Sequence, residues 1–203
     1  MYKIILGFLL SGLLLSDNFL DNIPPKDYNN WKLLGEGRVS VSYTNYSDVS
    51  WGRATATFPI KIDNLYSALK DLENYKHIFD RITESQVLDK DENIVYVRLD
   101  MPYFLADRDY TVKYIENYNN ETVIIQFYSV THPNTPNDKG SVTLPRASGE
   151  WRLTSIPGKG TEVTYIWNGE LLGKFPKSQL HTAWKKQGNE VLMWLYKYIK
   201  ANK

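Results

Sequence analysis

From Lys177 to Ala201 the chain reads as one long helix, whereas between Arg38 and Gly169 it reads as eight β-strand runs broken by one small helical section. Leu180, Trp184, Val191, Leu195 and Tyr198 recur at helical steps of 3, 4 or 7, with Lys186, Lys197 and Lys200 on the far side. Pro176 stands where such a helix begins. Gly188 falls on the apolar stripe, where glycine costs about 1 kcal/mol against alanine. Glycine at such a position signals close approach to a neighbour, or a kink. A lone amphipathic helix behind so many strands must bury its stripe against a sheet.

The strand runs are Arg38–Tyr46, Gly52–Ile60, Glu84–Asp89, Ile94–Met101, Arg108–Asn117, Thr122–Val130, Ala147–Ile156 and Thr161–Gly169. In the second, Ala54, Ala56 and Phe58 alternate with Arg53, Thr55 and Thr57. Asn119-Asn120 and Pro157-Gly158 supply turns suited to an antiparallel meander. Lys26 to Leu34, with Trp31 and Leu34, predicts a short amphipathic helix. Asp63 predicts the N-cap of another, whose Leu65, Leu69 and Leu72 share one face. Pro133 to Gly140 is a polar loop. A sheet of this size twists and must curl or be covered. The expected fold class is therefore α+β: a curved antiparallel β-sheet wrapped around the long C-terminal α-helix. This is a helix-grip arrangement, with an internal cavity between sheet and helix.

Composition narrows the function. There is no cysteine, which removes disulfides, thiolate nucleophiles, Cys-based metal sites and a lipid-modified cysteine. Lys plus Arg total 24 against 23 Asp plus Glu, which argues against general nucleic-acid binding. His77, His132 and His181 are scattered without metal-ligand spacing, and no nucleophile elbow or phosphate loop occurs. No metal, no cofactor and no enzymatic activity are expected. At the N-terminus, Lys3 precedes the apolar run Ile4 to Leu15, short for a membrane span but suited to a signal peptide. Residues 1–16 are assigned as signal peptide, with an uncleaved anchor or a buried helix as alternatives. Residues 17–203 form one domain, exported and expected in the periplasm.

Several segments together resemble the START family, the lipid-transfer domains related to the steroidogenic acute regulatory protein. They are Leu69 to Tyr75 with Phe79 and Val87-Leu88, and Pro102 to Tyr110 with its Arg108-Asp109-Tyr110 core. Ser129 to Pro133 with Pro136 and Gly140 follows, then Gly149-Glu150-Trp151, Thr161 to Tyr165 and Gly173 to Pro176. The resemblance runs from about Trp31 to Lys203. It implies a helix-grip fold, a tunnel for a lipid and no cofactor. Cholesterol-binding members carry an internal acid–arginine pair, and its second arginine falls on Tyr114 here, a departure that weighs against a sterol.

Candidate cavity residues follow from alternation. Arg108, Tyr110, Val112 and Tyr114 share one strand face, as do Val163, Tyr165 and Trp167. Trp184, Gly188 and Val191 face them from the helix. Tyr96, Arg98 and Asp100 belong either to a polar cavity wall or to a solvent face. Arg108 needs acceptors, either an acidic partner (Asp100, Asp107 or Glu150) or a ligand head group. From Lys174 to Lys203 there are seven Lys and one Glu. That charge makes Lys185, Lys186, Lys197, Lys200 and Trp194 candidates for transient contact with an anionic membrane. The expected partner is a lipid (sterol, phospholipid or fatty acyl compound) bound by a monomer. The Pro133–Gly140 loop or the helix would open to admit it. A helix-grip enzyme or a non-transferring lipid sensor is the alternative.

Overall fold

The computed structural model describes residues 20–102, 105–119, 121–137 and 139–202. The apolar run Ile4–Leu15 and the boundary at residue 16 lie outside the described residues. Ten strands form one sheet: β1 (Lys32–Gly35), β2 (Ser40–Tyr46), β3 (Val49–Phe58), β4 (Ile82–Asp89), β5 (Ile94–Leu99), β6 (Asp107–Asn119), β7 (Thr122–Ser129), β8 (Ser141–Thr143), β9 (Ser148–Ile156) and β10 (Gly160–Asn168). Helices α1 (Ile62–Lys70) and α2 (Tyr75–Ile78) connect β3 to β4, and α3 (Leu180–Ala201) closes the chain. The sheet order is β1-β2-β3-β10-β9-β7-β6-β5-β4. All these pairings are antiparallel, and short β8 adds a parallel pairing to β6. The curved sheet gripping one long helix is the arrangement expected.

Alternation along the strands sorts the two faces. On β3, Ala54, Ala56 and Phe58 are buried toward the helix, while Arg53, Thr55 and Thr57 point away. On α3 the buried residues are Trp184, Gly188, Leu192, Leu195 and Ile199. The buried stripe is therefore centred one position from the predicted one, with Val191 and Tyr198 on its flanks. Gly188 serves close approach. A Cβ there would stand 3.0 Å from the Trp167 ring and 3.1 Å from Ala54 and Val41. Trp167 is also wedged against Gly52 on β3, where a Cβ would meet its ring at 2.3 Å. Two glycines thus notch helix and sheet around one indole.

Three expectations are corrected. Lys26–Leu34 is not a helix: Lys32–Gly35 is edge strand β1, paired with β2. Pro24-Pro25 interrupts a helix start, and the segment ahead packs instead on the outer face of the sheet. There Ile23 joins Val49, Trp51 and Ile166, and Arg53 lies 4.3 Å from the Trp31 ring centre. Asp63 is in the first turn of α1, whose N-cap is Lys61. The Pro133–Gly140 loop also lies on the outer face, in its described residues. Thr135 Oγ1 is 2.9 Å from Thr111 Oγ1, and Ser141 beyond it hydrogen-bonds to Asp109. It is therefore not a lid over the concave side. Among the described residues no helix is long and apolar enough to cross a membrane.

Gly52→Ala should cost roughly 1–3 kcal/mol, because the added carbon meets the Trp167 ring, which is held close to Gly188 on its helix side. Gly37→Ala, with nothing within 4 Å of the added carbon, should stay within about 0.5 kcal/mol. Urea unfolding of the two variants measures the contrast.

Candidate ligand cavity

One helix cannot fill the concavity of this sheet, and a cavity of about 550 Å³ remains between them. Ligand sites typically run from about 300 to 1,000 Å³. Its sheet wall is aromatic: Tyr110 and Tyr114 from β6, Phe127 from β7, Trp151 from β9, Tyr165 and Trp167 from β10. Tyr114, Phe127, Tyr165, Trp151 and Trp167 form one continuous chain of rings. Tyr165 stacks on Trp151 at 4.3 Å and on Trp167 at 5.1 Å between centroids, and Tyr114 lies 5.7 Å from Phe127. Strand alternation makes the wall, since each ring occupies an inward position of its strand. The opposite wall is α3, through Ala183, Gln187, Val191 and Trp194.

The mouth gathers at one end of the sheet. Leu99 to Pro102 leave β5, Leu105 precedes β6, Leu144 to Ala147 precede β9, and Asn168 to Pro176 leave β10. Charge concentrates there. Arg81 Nε donates to Glu190 Oε2 at 3.0 Å, joining the start of β4 to α3, and Lys186 Nζ is 3.7 Å from the same carboxylate. Arg146 pairs with Glu170 across the opening. Both pairs belong to the cavity lining.

Four tyrosines sit among the apolar walls. The Tyr75 hydroxyl donates to the Leu69 carbonyl at 2.6 Å and also meets the Tyr114 hydroxyl. Burial pushes the phenol pKa of Tyr75, Tyr110, Tyr114 and Tyr165 upward, so all four stay protonated. Each is thereby a fixed O–H donor, not an anion.

Of the residues singled out from sequence, Tyr110, Tyr114, Tyr165, Trp167, Asp100, Val191 and Trp194 line the cavity. Trp194 was expected on a docking face and instead forms wall. Val112 shares the face of Tyr110 but is fully buried in the filled part of the core. Tyr96 and Arg98 are on the outer face, because Val95 and Val97 take the inward positions of β5. Arg98 is held there by Asp107 at 2.9 Å. Trp184 and Gly188 are core, not lining. Trp184 Nε1 donates to the Gly169 carbonyl at 2.7 Å. Lys185, Lys186, Lys197 and Lys200 are exposed along α3. Sequence reasoning missed Arg81, Glu190, Trp151 and Phe127. Trp151 and Phe127 carried the alternation signal, whereas Arg81 sits in a connection without periodicity.

Arg108 has a role that neither reading from sequence anticipated. Only 1% of it is exposed, and its guanidinium takes backbone carbonyls in place of a carboxylate or a ligand. Nε donates to the Leu171 carbonyl at 2.6 Å, Nη2 to the Leu172 carbonyl at 3.0 Å, and Nη1 to that of Ala106. Leu172 and Gly173 have φ of 46° and 58°, left-handed values that strain a leucine. The arginine fork fixes this corner at the mouth. Burial lowers its pKa from the ordinary arginine value, and the nearby Asp107 opposes that shift. Arg108→Lys keeps the charge but loses the fork. It should cost about 1.5–3 kcal/mol and raise amide hydrogen exchange selectively at residues 169–175.

Comparison with known proteins agrees with this architecture. The family described as "Polyketide cyclase / dehydrase and lipid transport" matches residues 58–183. An uncharacterized protein of Pseudomonas aeruginosa is 30% identical over 81 residues, a stretch spanning 40% of this chain and 40% of that relative. Human StAR-related lipid transfer protein 5 superposes with a TM-score of 0.79 at 16% identity, covering 87% of this chain and 89% of that one. The STAR-related lipid transfer protein of Xanthomonas axonopodis gives 0.74 at 18% identity, covering 85% and 99%. These likenesses establish the fold. With well over half of its length matched, the chain belongs to the polyketide cyclase / dehydrase and lipid transport family, built on the START-type helix-grip fold.

Proposed function

We propose that the protein is an exported monomeric carrier that encloses one apolar ligand and moves it between membranes without chemical change. The observation that carries this reading is the aromatic-walled cavity of about 550 Å³ between sheet and α3. Each methylene exposed to water costs about 0.8 kcal/mol, so an unshielded chain of ~16 carbons costs on the order of 12 kcal/mol. Enclosure removes that cost, whereas a surface groove removes only part of it.

Size restricts the cargo. At about 30 Å³ per water-sized group, the cavity holds roughly 18 such groups. Two acyl chains of ~16 carbons need about twice that volume by the same measure. A single-chain or compact ring compound therefore fits within it. Tyr114, in place of the arginine found in cholesterol-binding relatives, supports a ligand other than a sterol.

The exposed row Lys185, Lys186, Lys197 and Lys200 suits contact with anionic lipid. Lys186 also borders the mouth, so docking on this row brings the opening to the surface. Arg81 and Glu190 give a second reading some support, because a charged pair on a cavity wall suits cyclase-type chemistry. Recovery of a bound ligand unchanged after long incubation favours the carrier, and a stoichiometric new product favours the enzyme.

A vesicle-to-vesicle transfer assay with a fluorescent fatty acid tests the proposal. Transfer should accelerate when acceptor vesicles contain anionic lipid. Reversing the four lysines to Glu should abolish that acceleration while leaving ligand affinity within about two-fold. Each lysine near the surface is worth about 1 kcal/mol of attraction. Wild-type protein that binds the ligand yet never speeds its transfer would refute the carrier and leave a sensor.

A further inference from the structure

Within the cavity wall, two phenols differ from their neighbours. Tyr75 and Tyr114 satisfy one another and the Leu69 carbonyl. The Tyr110 and Tyr165 hydroxyls, by contrast, have no hydrogen-bond partner among the described residues; burial is the main influence on both, and for Tyr165 the neighbouring Tyr110 and Tyr75 phenols add to it. Both side chains lie deep inside the fold yet keep part of their surface uncovered by protein atoms. Both line the cavity, so that uncovered surface faces the cavity. A hydroxyl facing the cavity is left without a partner, at a cost of about 1–3 kcal/mol, when a ligand with no acceptor fills the space beside it.

Resting on the carrier reading, we propose that Tyr110 and Tyr165 recognise an uncharged acceptor oxygen (a ketone, ester or ether) in the body of the apolar ligand. Phe127 and Trp151 stack on Tyr165 and line the same cavity as Tyr110. The cations of the lining, Arg81, Lys186 and Arg146, belong to the mouth end of the strands, where they already pair with Glu190 and Glu170. A carboxylate lodged beside the phenols would be desolvated without a counter-charge, at a large cost. A carbonyl oxygen accepts two donors through its two lone pairs and needs no counter-charge. Plain hydrocarbon leaves both hydroxyls unsatisfied. The pair therefore discriminates against the ligand that the rest of the wall would accept best.

9-Fluorenone and fluorene test this, because they differ by C=O against CH₂ on one planar skeleton small enough for the cavity. Affinities are measured by displacement of 1-anilinonaphthalene-8-sulfonate from wild type, Tyr110→Phe, Tyr165→Phe and the double variant. Each substitution should weaken fluorenone by roughly 2- to 12-fold, while fluorene changes less than about two-fold or tightens. Fluorene binding also reports that each variant is folded. Fluorene-9-carboxylate should bind wild type more weakly than fluorenone. Equal effects of the substitutions on ketone and hydrocarbon, or no effect on either, would overturn the inference alone. Wild-type protein that binds neither compound would overturn the cavity reading and the inference with it.

Discussion

Nine strands side by side, spaced about 4.8 Å apart, make a sheet on the order of 40 Å wide, whereas one helix with its side chains is about 10–12 Å across. Everything distinctive about this chain follows from covering that concave, apolar face with so little. Twist curls the sheet, and α1 and α2 seal the side toward β9 and β4. Helix α3 is then drawn in hard, through the glycine notches at Gly52 and Gly188 around Trp167. Where α3 sits that close, the core is solid. Toward the mouth it is not, and rings that would otherwise pack on a helix face open space. The cavity is the geometric remainder of a wide sheet and a narrow helix.

Keeping such a remainder open requires a rigid rim. Arg108 binds three backbone carbonyls and holds the left-handed corner at Leu172 and Gly173. Trp184 fixes Gly169 to the helix, and the Arg81–Glu190 pair ties the start of β4 to α3. Polar groups are thus sorted by depth. Ion pairs stand at the rim, where water offsets their desolvation, and neutral phenols stand inside, where a charge has nothing to balance it.

Much of this was legible from the residues. Eight strand runs, the α1 leucines and the long final helix follow from periodicity, and the inward tyrosines follow from alternation with a period of two. The failures have physical causes. Alternation reports a face but not what fills the space above it, so Val112 reads like Tyr110 although one is core and the other wall. Arg108 shares that face too, but at a strand end its partners are carbonyls from the connection after β10, more than sixty residues away. Tyr96 is 1% exposed although it is on the outer face, and no local pattern announces that burial. The segment of β1 has only three or four apolar residues, which fit a helical or a strand period alike, and only the free edge of β2 decides. Arg81 and Glu190 meet across more than a hundred residues, in a fork that no local pattern specifies.

The central claim is that the space between sheet and helix is occupied, one ligand to one chain, when the protein works. Native mass spectrometry of protein purified from its own host, followed by extraction and identification of the released compound, tests this most directly. The account predicts a one-to-one adduct on the order of 300 Da, set by roughly 18 groups of water-like volume, released unchanged by organic solvent. A chain that emerges without an adduct, and that takes up none from a mixture of single-chain lipids, would contradict it.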